Sequence, residues 1–209
     1  MRSLSAHRIW KRGIRMLKLR QGGHRDLEKY YGLMEIDYDS EELIPKLALH
    51  RALISRKAEL LICHDDETGI ETGYALCFVN GVYGYVLLKN FAVVPWLRGK
   101  GLGAQMMRLE HKRFAQAQGI VTEITEFEDE DPDHMRKQQK FLKRFGYEEI
   151  KSDYRISGVK AHLYFKGIKN SSDMSCVAHR VIQDIYSGIL SSSAMLRMID
   201  INKVESAGR

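Results

Sequence analysis

Residues 93–104 read V-V-P-W-L-R-G-K-G-L-G-A. An apolar run closes at Pro95, and Arg98, Gly99, Lys100, Gly101 and Gly103 then leave the backbone bare and positive. Leu102, Met106, Met107, Leu109 and Phe114 follow at partly helical spacing. A strand, a glycine turn and a helix start can together hold phosphate. The first turn of a helix carries unpaired N–H groups and a partial positive charge. Successive turn amides form a nest for an anion, and glycine removes the side chain that would keep the anion off the backbone. Arg98 and Lys100 add charge suited to a di-anionic pyrophosphate. The segment is not G-x-x-x-x-G-K-[ST], and its glycines at 99, 101 and 103 miss the G-x-G-x-x-G spacing. A glycine-rich turn without a ligand is the plainer alternative.

The flanks supply the architecture. Strand-like runs cover 59–64, 73–79 and 83–94, the last two joined by Asn80-Gly81, a hairpin signal. Upstream, 14–19 roughly alternates and predicts a strand, and 24–37 predicts a helix. A second helix is predicted over 40–56, with Ser40 as cap, Glu41 and Glu42 in the first turn, and Pro45 close to that start. Downstream, the helix from Gly101 is expected to run to about Gln118 and stop at Gly119. Then come a strand over 121–127, an acidic loop, a helix over 134–145, and strands over 147–150 and 161–166. This order predicts an α/β (α+β) fold: a central mixed, mostly antiparallel sheet flanked by helices. Residues 170–209 are expected to add a C-terminal helical extension. Val177, Val181, Ile182, Ile185, Tyr186, Ile189 and Leu190 mark its apolar face, which docks on the domain or on a second copy in a homodimer.

Charge and composition narrow the function classes. The net charge of +6 resides in the first 25 residues, which hold eight Lys/Arg and no acid. Residues 1–13 therefore read as a basic leader, either simply solvated or touching nucleic acid. The longest uncharged stretch, 72–88, is broken by Gly73, Asn80, Gly81 and Gly84, so no membrane span is expected. Three scattered cysteines support neither a disulfide framework nor a zinc site, which points to a cytoplasmic setting. The D-E-D-P-D run lacks the spaced ligands of a calcium loop, so no metal is expected.

The segment Arg98-Gly99-Lys100-Gly101-Leu102-Gly103 resembles the [RQ]-x-x-G-x-[GA] signature of the GNAT N-acetyltransferase superfamily. The preceding N-F-A-V-V-P-W-L is similar to that family's fourth strand, and F-L-K-R-F-G-Y (141–147) to its F-Y-x-x-x-G-[FY] segment. The resemblance spans roughly 14–167, within an expected catalytic domain of 14–169. It implies acetyl-CoA, or another acyl-CoA, as co-substrate, with the pyrophosphate on Arg98, Gly99, Lys100, Gly101, Leu102, Gly103 and Ala104. It further implies that the amides of Val93 and Val94 face the pantetheine arm and the thioester carbonyl. A backbone N–H aimed at that carbonyl would stabilise the oxyanion.

An amine acceptor must lose a proton before it can attack, so a general base is expected. Glu126 is the favoured base, and Glu128, on the same side of a period-2 strand, the substrate contact or deputy; Glu123 would point the other way. Residues 87–90 offer no carboxylate. Leu142 stands where many family members have a proton-donating tyrosine, leaving Tyr85, Tyr147 or Tyr164, or unaided thiolate departure. Seven acids within 123–133 would favour a small cationic amine. The alternatives are a protein or RNA-associated amine as acceptor, and a non-catalytic acyl-CoA sensor.

Overall fold

The computed structural model describes residues 16–81, 84–127, 132–168 and 174–202. Strand β1 (Leu17–Gln21) leads to helices α1 (His24–Asp37) and α2 (Lys46–Ile54). Strands β2 (Ala58–Asp65), β3 (Glu71–Asn80) and β4 (Tyr85–Val93) follow, then a single 3-10 turn (Pro95–Leu97) and α3 (Leu102–Arg113). After β5 (Gly119–Thr125), α4 (Pro132–Arg144), β6 (Glu148–Ile156) and β7 (Val159–Gly167), the chain adds α5 (Met174–Ser187), α6 (Ser192–Met198) and β8 (Ile199–Asn202). The basic leader lies outside the described residues.

One sheet carries the eight strands of the described residues in the order β1-β2-β3-β4-β5-β7-β6-β8. The β4–β5 pair is parallel, and the other described pairs are antiparallel. Both faces are covered, and the two-residue period of the strands sorts their side chains between them. Leu60, Ile62, Tyr74, Leu76 and Phe78 pack with Leu27, Tyr30 and Met34 of α1, Leu49 of α2, and Val181, Ile182, Ile185 and Tyr186 of α5. On the opposite face Leu61, Ala75, Cys77, Val86 and Leu88 pack with Met107 of α3 and Leu142 of α4.

Three expectations change. The second helix starts at Lys46, with Pro45 as its N-cap, rather than at Ser40. A residue before proline avoids the helical region, so residues 40–42 form a turn instead, with the Glu42 amide donating to the Asp39 carbonyl at 3.0 Å. Gly119 does not cap α3, which ends at Arg113. It opens β5 against Tyr85 and Gly167, where a Cβ would lie 2.3 Å from the Phe165 ring. The C-terminal extension is not wholly helical, because β8 pairs with β6 and widens the sheet. Its apolar helix face is buried against the chain's own sheet, so that face is already covered within one copy.

Candidate active site

The site begins where two parallel strands part. β4 and β5 are paired only from Tyr85–Gly119 to Leu88–Thr122, although both strands run on. The cause lies on the other edge of β4. Leu88 faces Cys77 and Asn90 faces Leu76, so Lys89 is an extra, bulged residue. A bulge bends and twists its strand, and β4 swings away from β5 beyond it. The resulting cleft has a volume of about 840 Å³ and is lined by both strands, the end of α1, the following turn, and α4.

A buried polar network forms the floor. Lys89 Nζ lies 2.9 Å from Glu123 Oε2, with side chains only 3% and 2% exposed. The Tyr154 hydroxyl donates to Glu123 Oε1 at 2.5 Å, and the Tyr186 hydroxyl donates to the same carboxylate at 2.9 Å. An ion pair removed from water needs such extra bonds to offset desolvation. These contacts hold both phenols well above the ordinary tyrosine range, through burial first and the Glu123 charge second. Glu123 is thus a structural anion of the floor.

The glycine turn sits at one end of the cleft. Gly99 and Gly101 both have φ of +75°, the left-handed region that favours glycine, and a Cβ at either would meet nothing within 4 Å. Gly101 is the N-cap of α3, and no side chain among the described residues caps the helix, so its first-turn amides could bond an external anion. Leu102 anchors that turn, buried with Leu17, Cys63 and Met106. A Cβ at Gly103 would meet Phe141 and Val93 at an ordinary 3.8 Å, and Ala104 continues the first turn. This open, left-handed, uncapped turn fits a pyrophosphate.

The implied CoA contacts are only partly brought together. Arg98 is exposed but held by its own chain: its guanidinium pairs with Asp37 and its Nε donates to the Val93 carbonyl at 3.0 Å. The Val94 amide donates to the Thr72 carbonyl at 3.0 Å and so is not directed at a pantetheine arm. Alternate residues of an antiparallel strand bond opposite sides, so Val93 turns its own amide towards the cleft. Next along, the Tyr38 hydroxyl accepts from the Phe91 amide at 2.8 Å and donates to the Phe91 carbonyl at 3.2 Å. That phenol replaces the missing partner strand along the splayed edge.

The carboxylates fall differently from expectation. Glu126 follows the end of β5, is 40% exposed, and is paired with Lys160 at 2.8 Å and His162 at 3.1 Å. Those bonds lower its pKa, and it does not line the cleft. Glu128 lies outside the described residues, as do 129–131 of the acidic loop. The carboxylates that do line the cleft are Asp37, Asp39, Glu42 and Glu123. Asp37 is tied to Arg98 and Glu123 to Lys89, whereas Asp39 and Glu42 have no ion-pair partner among the described residues. Glu42 accepts a hydrogen bond from the Thr125 hydroxyl. Burial raises the Glu42 pKa, partly offset by the Lys89 charge. Sequence reading missed Glu42 because it treated 40–42 as helix; Pro45 was the available signal.

None of the three tyrosines proposed as proton donors lines the cleft. Tyr147 is buried beside His111, with 3.2 Å between hydroxyl and Nε2, and Tyr85 packs on Phe165. Tyr164 is buried in the apolar cluster that holds Met107 and Leu142. Leu142 lines the cleft itself. No group of metal-ligating side chains occurs among the described residues, and none of their helices is long and apolar enough to cross a membrane.

Comparison with known proteins shows what the arrangement is similar to. The model of the acetyltransferase (GNAT) domain matches residues 56–149, from β2 to the start of β6. No curated protein sequence matches the chain. Among solved structures, a GNAT-family protein from Bacteroides thetaiotaomicron superposes with a TM-score of 0.64 at 16% identity, covering 81% of this chain and 96% of that one. A spermidine N-acetyltransferase from Vibrio cholerae in complex with CoA and spermine has a TM-score of 0.56 at 11% identity, covering 73% and 95%. A dodecameric structure of spermidine N-acetyltransferase from the same organism has a TM-score of 0.55 at 10% identity, covering 72% and 93%. The matched strands contain the bulge and the split, and the matched turn contains the glycines. Residues 56–149 thus resemble the acetyltransferase (GNAT) domain, and the chain shares the fold of GNAT-family structures.

Proposed function

We propose that this protein transfers an acyl group, acetyl in the simplest case, from acyl-CoA to the primary amine of a small cationic molecule. One observation carries the reading: the cleft is lined both by Arg98 and Gly103, which flank the left-handed turn at Gly99–Gly101, and by Asp39 and Glu42, which have no ion-pair partner among the described residues. A slot that holds donor and acceptor together lowers the entropic barrier to their encounter, and unpaired carboxylates favour a cation. The Vibrio cholerae neighbour, whose structure holds spermine, supports an acceptor of polyamine type. Cys63 and Cys77, both free and buried, are in keeping with a reducing cytoplasm.

Calorimetry with CoA and a thiol-release assay over an amine panel test the proposal together. Gly101→Asp and Gly101→Asn both tolerate a left-handed backbone, but only the aspartate adds negative charge. CoA affinity is expected to fall at least about tenfold further in the aspartate variant, a difference of about 1.4 kcal/mol. Equal affinities would remove the pyrophosphate from this turn. Diamines and polyamines are expected to drive thiol release, and amino acids bearing a free carboxylate are not. Preference for anionic acceptors would overturn the substrate class. Tight CoA binding without release for any amine would favour the sensor reading, which the aliphatic Leu142 in the cleft motivates.

A further inference from the structure

We propose that Glu42, in the turn between α1 and α2, is the general base that deprotonates the acceptor amine, and that Thr125 orients it. This rests on the acyltransferase reading given above. The assignment follows from where the cleft's carboxylates stand. Asp37 is held by Arg98 and by the Tyr74 hydroxyl at 3.2 Å. Glu123 is closed in by Lys89, Tyr154 and Tyr186. Glu126 faces Lys160 and His162 outside the cleft, and Asp39 is exposed at the rim. Glu42 alone among the described carboxylates is half-buried in the cleft, held by one hydroxyl, and without a salt bridge.

Its partner fixes its place. Thr125 is the last residue of β5, three positions beyond the final β4–β5 pair, and is 5% exposed. Its hydroxyl donates to Glu42 Oε1, and the Glu42 carboxylate has no second side-chain hydrogen bond among the described residues. The other carboxylate oxygen thus remains able to take a proton beside the split that receives the acyl group. The groups acting on Glu42 come from several elements. Lys89 of β4 favours its charged form, while Glu123 of β5 and Asp39 of its own turn oppose it. Tyr38 and Tyr186 each feel the Glu42 charge in return. Burial outweighs Lys89, so the carboxyl is a stronger base than an ordinary glutamate.

The acceptor enters as an ammonium and gives one proton to Glu42. The freed nitrogen bonds to the acyl carbon, and the carbon–sulfur bond breaks with its electron pair on sulfur. The nitrogen's second proton ends on that thiolate, giving the thiol, and Glu42 returns its proton to water.

Glu42→Gln keeps shape and the capacity to accept from Thr125 while removing basicity. With the amine that the wild type uses best, kcat/KM is measured from pH 5 to 10 and CoA affinity by calorimetry. The expected result is a loss of about 10²–10⁴ in kcat, CoA affinity within about twofold of wild type, and loss of the carboxyl inflection from the profile. Residual turnover should climb with pH as free amine accumulates in solution. The same carboxyl inflection retained in Glu42→Gln, with only KM raised, would make Glu42 a cation subsite and overturn its role as base. A variant that loses CoA affinity as strongly as turnover would also overturn it, by revealing a structural role. A wild type that binds CoA yet turns over no amine would sink the acyltransferase reading and this assignment with it.

Discussion

Tyr186 of α5 holds its hydroxyl 2.9 Å from Glu123 Oε2 and 3.1 Å from Oε1. A residue from the C-terminal segment thus supports the carboxylate that holds Lys89 at the bulge. The C-terminal helices and the strand split form one mechanical unit: α5 steadies the anion, the anion holds the lysine, and the lysine sits where β4 leaves β5.

Tyr186→Phe removes a donor from a buried carboxylate. Hydrogen bonds to charged groups are worth about 1.5–3 kcal/mol, so urea unfolding should show a stability loss of that size. Because the lesion lies beneath the cleft, KM for the acceptor should rise while CoA affinity stays near wild type.

Lys89→Met leaves Glu123 charged and buried without its cation. A loss of about 3–5 kcal/mol is expected for such a broken pair. Adding Glu123→Gln to that variant removes the orphaned charge and should restore most of the stability in the same measurement.

Glu110 gives a pH signature of its own. It is 1% exposed on α3, its Oε2 has no hydrogen-bond partner, and burial pushes its pKa up to about 8 from an ordinary 4.5. Between those values the folded chain binds a proton that the unfolded chain has released. Its contribution to stability is complete below about pH 4.5 and lost as pH rises through about 8, on the order of 4–5 kcal/mol in all. Melting temperatures from pH 5 to 9 should fall in the wild type and flatten in Glu110→Gln.

Gly73→Ala tests the packing of the strand that carries the turn. A Cβ at Gly73 would lie 2.5 Å from the Ala92 carbonyl oxygen and 2.6 Å from the Met106 side chain. Met106 can flex, but a β4 carbonyl in its ladder cannot. Overpacking of this kind costs about 1–3 kcal/mol. Chemical denaturation should show the loss, and CoA affinity should weaken because β4 and α3 are pushed apart.

The glycine turn was legible because its requirements are local. Gly99 and Gly101 need a left-handed backbone that few other residues supply, and Leu102, Met106 and Met107 carry the helical period that buries the start of α3. Those features depend on chain neighbours alone, so Arg98 to Ala104 could be placed on a strand–turn–helix from the residues themselves. The sheet followed in outline from the same period counting over β2, β3 and β4. The base did not. Glu126 and Glu42 are equally plain glutamates in the sequence, and what separates them is long-range: Lys160 and His162 on β7 neutralise one, while Thr125 on β5 holds the other inside the cleft. Only the tertiary fold brings residue 42 to residue 125, and only the bulge at Lys89, set by pairing with β3, opens the space between them. The sequence by itself determined the left-handed glycine turn at the start of α3, because backbone conformation is local. The structure decided which carboxylates line the cleft, because burial and charge pairing depend on partners far along the chain.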